Sequence, residues 1–309
     1  GSCANVWPEL EQLVQLLFVL CVQAFPIRKC SGQQVSGTMK TLRVNDYDMS
    51  YLEIGQGMPL VCVHGSLNDF RAWAAVLKPL SASRRLIIPS LRHYFPEHWD
   101  GKDGQFNMAQ HVDDMIAFIK GLALGPVDLI GHSRGGHLAF RLALKRPELL
   151  RKLVLAEPGG VLEEALLPDG ASAGAPAAGS RAHVAQASEK IAAGDLDGGL
   201  RAFIDGINGP GTWDSLPASE RQMREDNAYT LLAQVNEGRE PFAKAEAEAI
   251  SLSTLFVGGA DTPGMLPVVL LALAAHVPHA RTVIIPDAGH SMFRQQPKAF
   301  CEAVLPFLE

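Results

Sequence analysis

The stretch that decides the reading is Val127-Asp128-Leu129-Ile130-Gly131-His132-Ser133-Arg134-Gly135-Gly136, followed by a helix-like run from Leu138 to Lys145. Four apolar-rich residues lead into a glycine-flanked serine, and helical periodicity begins directly after it. A sharp strand-to-helix turn requires small residues on either side of its central side chain, and the helix that follows aims backbone N–H groups and its positive dipole end at that side chain's oxygen. Ser133 is therefore a candidate nucleophile. With 29 glycines in 309 residues the G-x-S-x-G spacing also arises from composition, so partner residues must carry the rest of the argument.

Three further apolar runs supply candidates. Pro59 to Val63 ends in His64-Gly65-Ser66; Thr254 to Val257 ends in Gly258-Gly259-Ala260-Asp261; Thr282 to Ile285 ends in Pro286-Asp287-Ala288-Gly289-His290. Short apolar runs of this kind suit strands buried on both faces. In a parallel sheet the loops at the carboxyl ends of the strands share one edge, so Ser133, Asp261 and His290 can converge there.

A serine hydroxyl needs a base within hydrogen-bond reach, which His290 can supply, and a carboxylate on the other imidazole nitrogen fixes the tautomer. That carboxylate is expected from Asp261. Glu157 is the competitor, since it also follows a strand-like run, Lys152 to Ala156, but Pro158-Gly159-Gly160 after it reads as the exit into an insertion. Asp287, three residues before His290, reads as a loop former. His64 and His132 are expected to pack and hydrogen-bond locally. Arg134 is expected to pair with a nearby carboxylate such as Glu157, with attraction of an acidic substrate as the other option.

The order Ser133, Asp261, His290 resembles the α/β-hydrolase family over roughly residues 39 to 309. The resemblance implies an α/β fold: a mainly parallel central sheet with helices on both faces and a helical cap. It also implies an oxyanion hole made by the backbone N–H groups of Ser66 and Arg134. The expected activity is hydrolysis of a small carboxylic ester, lactone or thioester through an acyl-serine intermediate. Carbon–carbon bond hydrolysis, perhydrolysis and acyl transfer use the same constellation. The carbon–carbon hydrolases usually carry more glycine after the His-Gly turn and a tryptophan after the histidine, where this chain has Ser66-Leu67 and Ser291-Met292. A receptor that kept the fold without turnover is the reading from a different class.

Organisation follows from composition. With 47% hydrophobic residues the chain can bury one large core, and the implied division is a core of residues 39–160 and 250–309 with a cap insertion at 161–249. Residues 1–38 are expected to be a non-catalytic extension: Leu13 to Ile27 is apolar but broken by Gln15, Gln23 and Pro26, too short for a bilayer span. Within the insertion, Gly170 to Ser180 reads as a linker, and Ala182–Ala193, Leu196–Ile207 and Ala218–Asn236 as helices, with Phe203, Trp213 and Tyr229 as large apolar contributors. Phe70 to Leu80 and Phe293 to Phe307 read as helices of the core.

A net charge of −6 with no basic stripe argues against nucleic acid and anionic membranes as partners and leaves a small-molecule substrate. Five cysteines without framework spacing suit a reducing, cytoplasmic setting. No metal or dinucleotide motif occurs, so neither metal nor cofactor is expected. His93, His98, Asp100 and Asp103 could in principle bind a metal, but without ordered ligand spacing they read as a solvated loop, and the aromatics of Leu91 to Asp100 could line a pocket mouth.

Overall fold

In a computed structural model of the chain, residues 38–167 and 174–309 are described; the expectations for residues 1–37 and for Gly170 to Ala173 lie outside them. Eight strands form one sheet: β1 (Thr38–Val44), β2 (Tyr47–Ile54), β3 (Met58–Val63), β4 (Arg84–Pro89), β5 (Val127–His132), β6 (Leu150–Ala156), β7 (Thr254–Gly259) and β8 (Arg281–Ile285). Their spatial order is β1-β2-β4-β3-β5-β6-β7-β8. β1 and β2 pair antiparallel, as do β2 and β4, and every pairing from β4 through β8 is parallel. The expected mainly parallel α/β sheet is therefore present.

Alternation along the central strands splits the core into two layers. Val61, Val63, Leu129, Leu153 and Leu155 face one hydrophobic cluster, whereas Leu60, Cys62, Ile130, Val154 and Ala156 face the other. Successive side chains of a strand point to opposite faces, so an uninterrupted apolar run is what a sheet covered on both sides demands. The helices α1 (Leu77–Ser81), α2 (Met108–Leu122), α3 (Arg134–Lys145), α10 (Leu266–His276), α11 (Met292–Gln295) and α12 (Pro297–Leu308) belong to this core. Full burial of each Leu, Val or Phe contributes about 1.5–3 kcal/mol relative to exposure.

The insertion between β6 and β7 carries α4 (Gly174–Ala192), α5 (Leu196–Asn208), α6 (Thr212–Ser215), α7 (Ala218–Asp226), α8 (Thr230–Gln234) and α9 (Lys244–Ala249). It has its own cluster, including Leu200, Phe203, Trp213 and Leu231, and this cluster takes in Leu67 from the loop after β3. Phe203 and Trp213 are buried as core of the insertion, whereas Tyr229 is exposed.

Four segments differ from their sequence reading. Helix α4 begins at Gly174, so the second half of the expected linker is helical; alanine favours a helix, and Pro176 in the first turn removes no intrahelical bond. Phe70–Val76 is a 3-10 helix capped by Asp69, and α1 is short. Asn227 interrupts the run read as one helix over Ala218–Asn236, because its amide bonds Met223 O and Asp69 Oδ2. Pro297 divides the last expected helix into α11 and α12, with Gln296 out of helical conformation.

Candidate active site

Ser133 occupies the turn between β5 and α3 at φ 53°, ψ −118°, a conformation that L residues adopt under constraint. The constraint is visible. Ser133 N donates to Ala156 O (3.0 Å), and Ser133 O accepts from Gly136, His137 and Gly159 N–H groups. Gly135 is required at its position, since a Cβ there would lie 2.5 Å from both Val63 O and His64 O. Helix α3 thus starts hard against the end of β3, with its N-terminus directed at Ser133. Ser133 Oγ hydrogen-bonds to no described group.

The registers explain how the other residues arrive. His132 pairs with Ala156, which puts Ser133 and Glu157 at neighbouring strand ends. Glu157 is fully buried at φ 42°, and its N–H donates to Val257 O on β7. Its side chain extends past β7 toward the loop after β8. It passes Gly258 in ordinary contact, where a Cβ would stand 3.4 Å from Glu157 Oε1. Gly259 N (2.8 Å) and Thr262 Oγ1 (2.7 Å) donate to Oε1, and His290 Nδ1 lies 2.6 Å from Oε2. A carboxylate accepts, so Nδ1–H donates to Glu157, the arrangement that in a neutral ring makes Nε2 the acceptor.

This corrects the expected carboxylate. The partner of His290 is Glu157, and the exposed side chain of Asp261 makes no hydrogen bond among the described residues. What the loop after β7 sends inward is Thr262, one residue further on and buried, because Asp261 N is tied to Ala288 O (2.9 Å) and turns its side chain outward. No sequence signal singled out Thr262. Asp287 is an exposed loop residue at φ 52°, as expected.

The two flanking histidines serve local structure. His64 Nε2 accepts from Leu91 N (3.0 Å), so Nδ1–H donates to Gly65 O (2.8 Å), and burial pushes its pKa down to about 4. His132 Nε2–H donates to His290 O (2.8 Å), and the two rings lie 4.5 Å apart between centroids. Burial, followed by the neighbouring His290, holds the His132 imidazole well below the ordinary histidine range. His132 thereby anchors the loop that presents His290.

The backbone N–H groups of Ser66 and Arg134 donate to no other described group. Gly65 brings the first of them close: a Cβ on Gly65 would fall 2.9 Å from Ser133 Cβ. Gly159 closes the other side, where a Cβ would stand 3.4 Å from Ser133 Oγ and 3.6 Å from Arg134 N. The Arg134 side chain does not pair with Glu157. It runs beneath the insertion to Glu237, with His111 Nδ1 at 2.9 Å from its Nη2 and the Phe106 ring 4.8 Å from its guanidinium. Glu237 lies 103 residues away in sequence, so no local pattern could have indicated it.

The aromatic loop after β4 is internally bonded. His93 Nδ1 pairs with Glu97 (3.0 Å), its ring stacks on Trp99, and Trp99 Nε1 donates to Asp103 O (2.6 Å). No helix among the described residues is long and apolar enough to cross a membrane.

Comparison with known proteins bears on the identity of this arrangement. The chain is 24% identical over 279 residues to the (E)-2-((N-methylformamido)methylene)succinate hydrolase of Acinetobacter baylyi, covering 87% of this chain and 98% of that one. A 2-hydroxymuconate semialdehyde hydrolase of a Pseudomonas species is 37% identical over a shorter stretch of 111 residues, 35% of this chain and 38% of that one. Among solved structures, an esterase from Thermogutta terrifontis superposes with a TM-score of 0.69 at 24% identity, over 88% of this chain and 98% of that chain, a likeness of fold. The sequence model of the alpha/beta hydrolase family matches residues 60–303, and the chain belongs to that family.

Proposed function

We propose that the protein is a serine hydrolase that cleaves a small carboxylic ester, lactone or thioester through an acyl-serine intermediate. The observation that carries this reading is the buried 2.6 Å contact of His290 Nδ1 with Glu157, at the sheet edge where the strained turn presents Ser133. Ser133 Oγ would attack the carbonyl carbon while His290 Nε2 accepts its proton. The Ser66 and Arg134 N–H groups would receive the negative oxygen of the tetrahedral intermediate, a role worth ~3 kcal/mol per donor in related chemistry. His290 then returns the proton to the leaving alcohol and activates water to release the acid. Glu157 would hold the productive tautomer and stabilise the imidazolium.

The insertion would act as a cap that excludes water and selects substrates, a role supported by Leu67 packing into its cluster next to Ser66. The 37% identity with a 2-hydroxymuconate semialdehyde hydrolase favours a second reading, hydrolysis of a carbon–carbon bond on the same residues.

Labelling with a fluorophosphonate tests the serine chemistry. The natural chain should be labelled and Ser133→Ala should not; a folded natural chain that resists the reagent would leave a binding protein on a hydrolase fold. A panel of aryl and alkyl esters alongside a dienoic ketone then separates ester from carbon–carbon cleavage.

A further inference from the structure

Among the described residues, the charges beside Ser133 do not balance. Glu237 is the shared carboxylate of two arginines: Arg134 Nη1 pairs with its Oε1, and Arg239 Nη2 donates to the same oxygen at 2.6 Å. Two guanidinium groups against one carboxylate leave one positive charge in excess. The other titratable groups around them do not compensate. His111 and His137 are held well below the ordinary histidine range, His111 by burial and Arg134, His137 by burial followed by Arg239, Arg141 and Arg134. Tyr94 is fully buried, and its hydroxyl is pushed up by burial, so it too stays neutral. Arg141 is paired with Glu246 at 2.6 Å.

An uncompensated buried charge is costly and is tolerated where a ligand completes it. Burial and the charge of Arg134 together lower the Arg239 pKa, against the opposing pull of Glu237. Arg134 is sealed, with a side chain 0% exposed, whereas the Arg239 side chain is 19% exposed. The second hydrogen bond of Arg239, at 3.3 Å, goes to Gly159 O, the residue packed against Ser133 Oγ. A cavity of about 320 Å³ opens beside the cluster, bounded in part by Phe106, Glu237, Gly238 and Lys102. Gly159 thus stands between the Arg239 guanidinium, one side of which reaches solvent, and Ser133.

We propose that Arg239, backed by the charge of Arg134, receives a free carboxylate on the acyl part of the substrate, so that the ester cleaved is a half-ester of a dicarboxylic acid. This deepens, and rests on, the assignment of Ser133 as nucleophile. Arg239 can offer a carboxylate charge-assisted hydrogen bonds, and a neutral acyl chain would leave the excess charge unpartnered. The bond chemistry is unchanged: the serine oxygen bonds to the carbonyl carbon, the ester C–O bond breaks, and the serine proton leaves with the alcohol through His290. The anchoring carboxylate takes no part in that exchange.

The test separates binding from turnover. Ser133→Ala, which cannot form an acyl-serine, is titrated calorimetrically with monomethyl glutarate and with dimethyl glutarate. Monomethyl glutarate should bind at least about tenfold more tightly. In the same background Arg239→Gln should bring the ratio to about one, and Arg239→Lys, which keeps the charge, should retain a preference. Equal binding of the two esters, no binding of either, or a preference that survives Arg239→Gln would overturn the proposal. Should Arg239→Gln fail to fold, Arg239→Met takes its place in the same titration, and a preference that survives it overturns the proposal just the same. Failure of fluorophosphonate labelling in the natural chain would remove the serine reading without altering this binding result.

Discussion

The ends of β6 and β7 offer the same sequence signature, an acidic residue just past a buried strand, and opposite surroundings. Glu157 is enclosed, bonded by Gly259 N, Thr262 Oγ1 and His290 Nδ1, whereas Asp261, at the end of the neighbouring strand, is exposed, its carboxylate hydrogen-bonded to no described group. The difference lies in reach and direction. Glu157 has a side chain long enough to reach the Gly259 N–H and His290 across the end of β7. Asp261 starts closer in sequence to His290, but its backbone is pinned to the His290 loop with the side chain turned out. An acid at a strand end is thus a candidate, and burial with aligned donors makes one of them the partner of the imidazole.

The sharpest way to break this comparison is Glu157→Gln. Gly259 N and Thr262 Oγ1 both donate to the position of Oε1, so the amide oxygen settles there and the NH2 group faces His290. That forces the opposite tautomer and removes the lone pair from Nε2. We expect kcat of ester hydrolysis to fall ~10³–10⁴-fold, read from steady-state kinetics. An active Glu157→Gln enzyme would return the role to Asp261.

A smaller effect concerns stability, because the buried surroundings that Glu157 shares with the ends of β3 and β5 also hold the imidazoles of His64 and His132. His64, with an unfolded pKa of 6.5, is depressed in the fold to about 4. The unfolded chain therefore takes up the proton first. The stability associated with a neutral His64 is present above pH 6.5 and is lost as pH falls toward 4, on the order of 3 kcal/mol. His132 shifts in the same direction and adds to the loss. Tm measured against pH should decline through this window; a flat profile between pH 6.5 and 4 would contradict neutral buried rings.

The smallest expected effect belongs to Asp261→Asn. With the carboxylate exposed and bonded to no described group, kcat/KM should stay within about twofold and Tm should barely move. A loss comparable to that of Glu157→Gln would show that the two strand ends act together.

Much of the fold was legible because its signals are local. Alternating strand and helix patterns, the glycines around Ser133, and Pro59 to Val63 as a doubly buried strand all follow from short-range sterics and from the length of apolar runs. The resemblance to hydrolases then pointed to Ser133 and His290, which the structure sets at the end of β5 and in the loop after β8. Proline and asparagine breaks at Pro297 and Asn227 were less legible, since a helix-like periodicity continues across both and the amide of Asn227 bonds Asp69 and the Phe95 N–H, both far away in sequence.

By itself the sequence determined that a serine sits on a strand-to-helix turn followed by a distant histidine, because turn geometry restricts which residues fit within a few positions. The tertiary structure decided which carboxylate reaches that histidine and what Arg134 faces. Those outcomes depend on the spatial order of β5 to β8 and on a contact between residues 134 and 237. Side-chain direction and dielectric surroundings at a meeting of distant segments are properties of the packed chain, and no pattern within one segment encodes them.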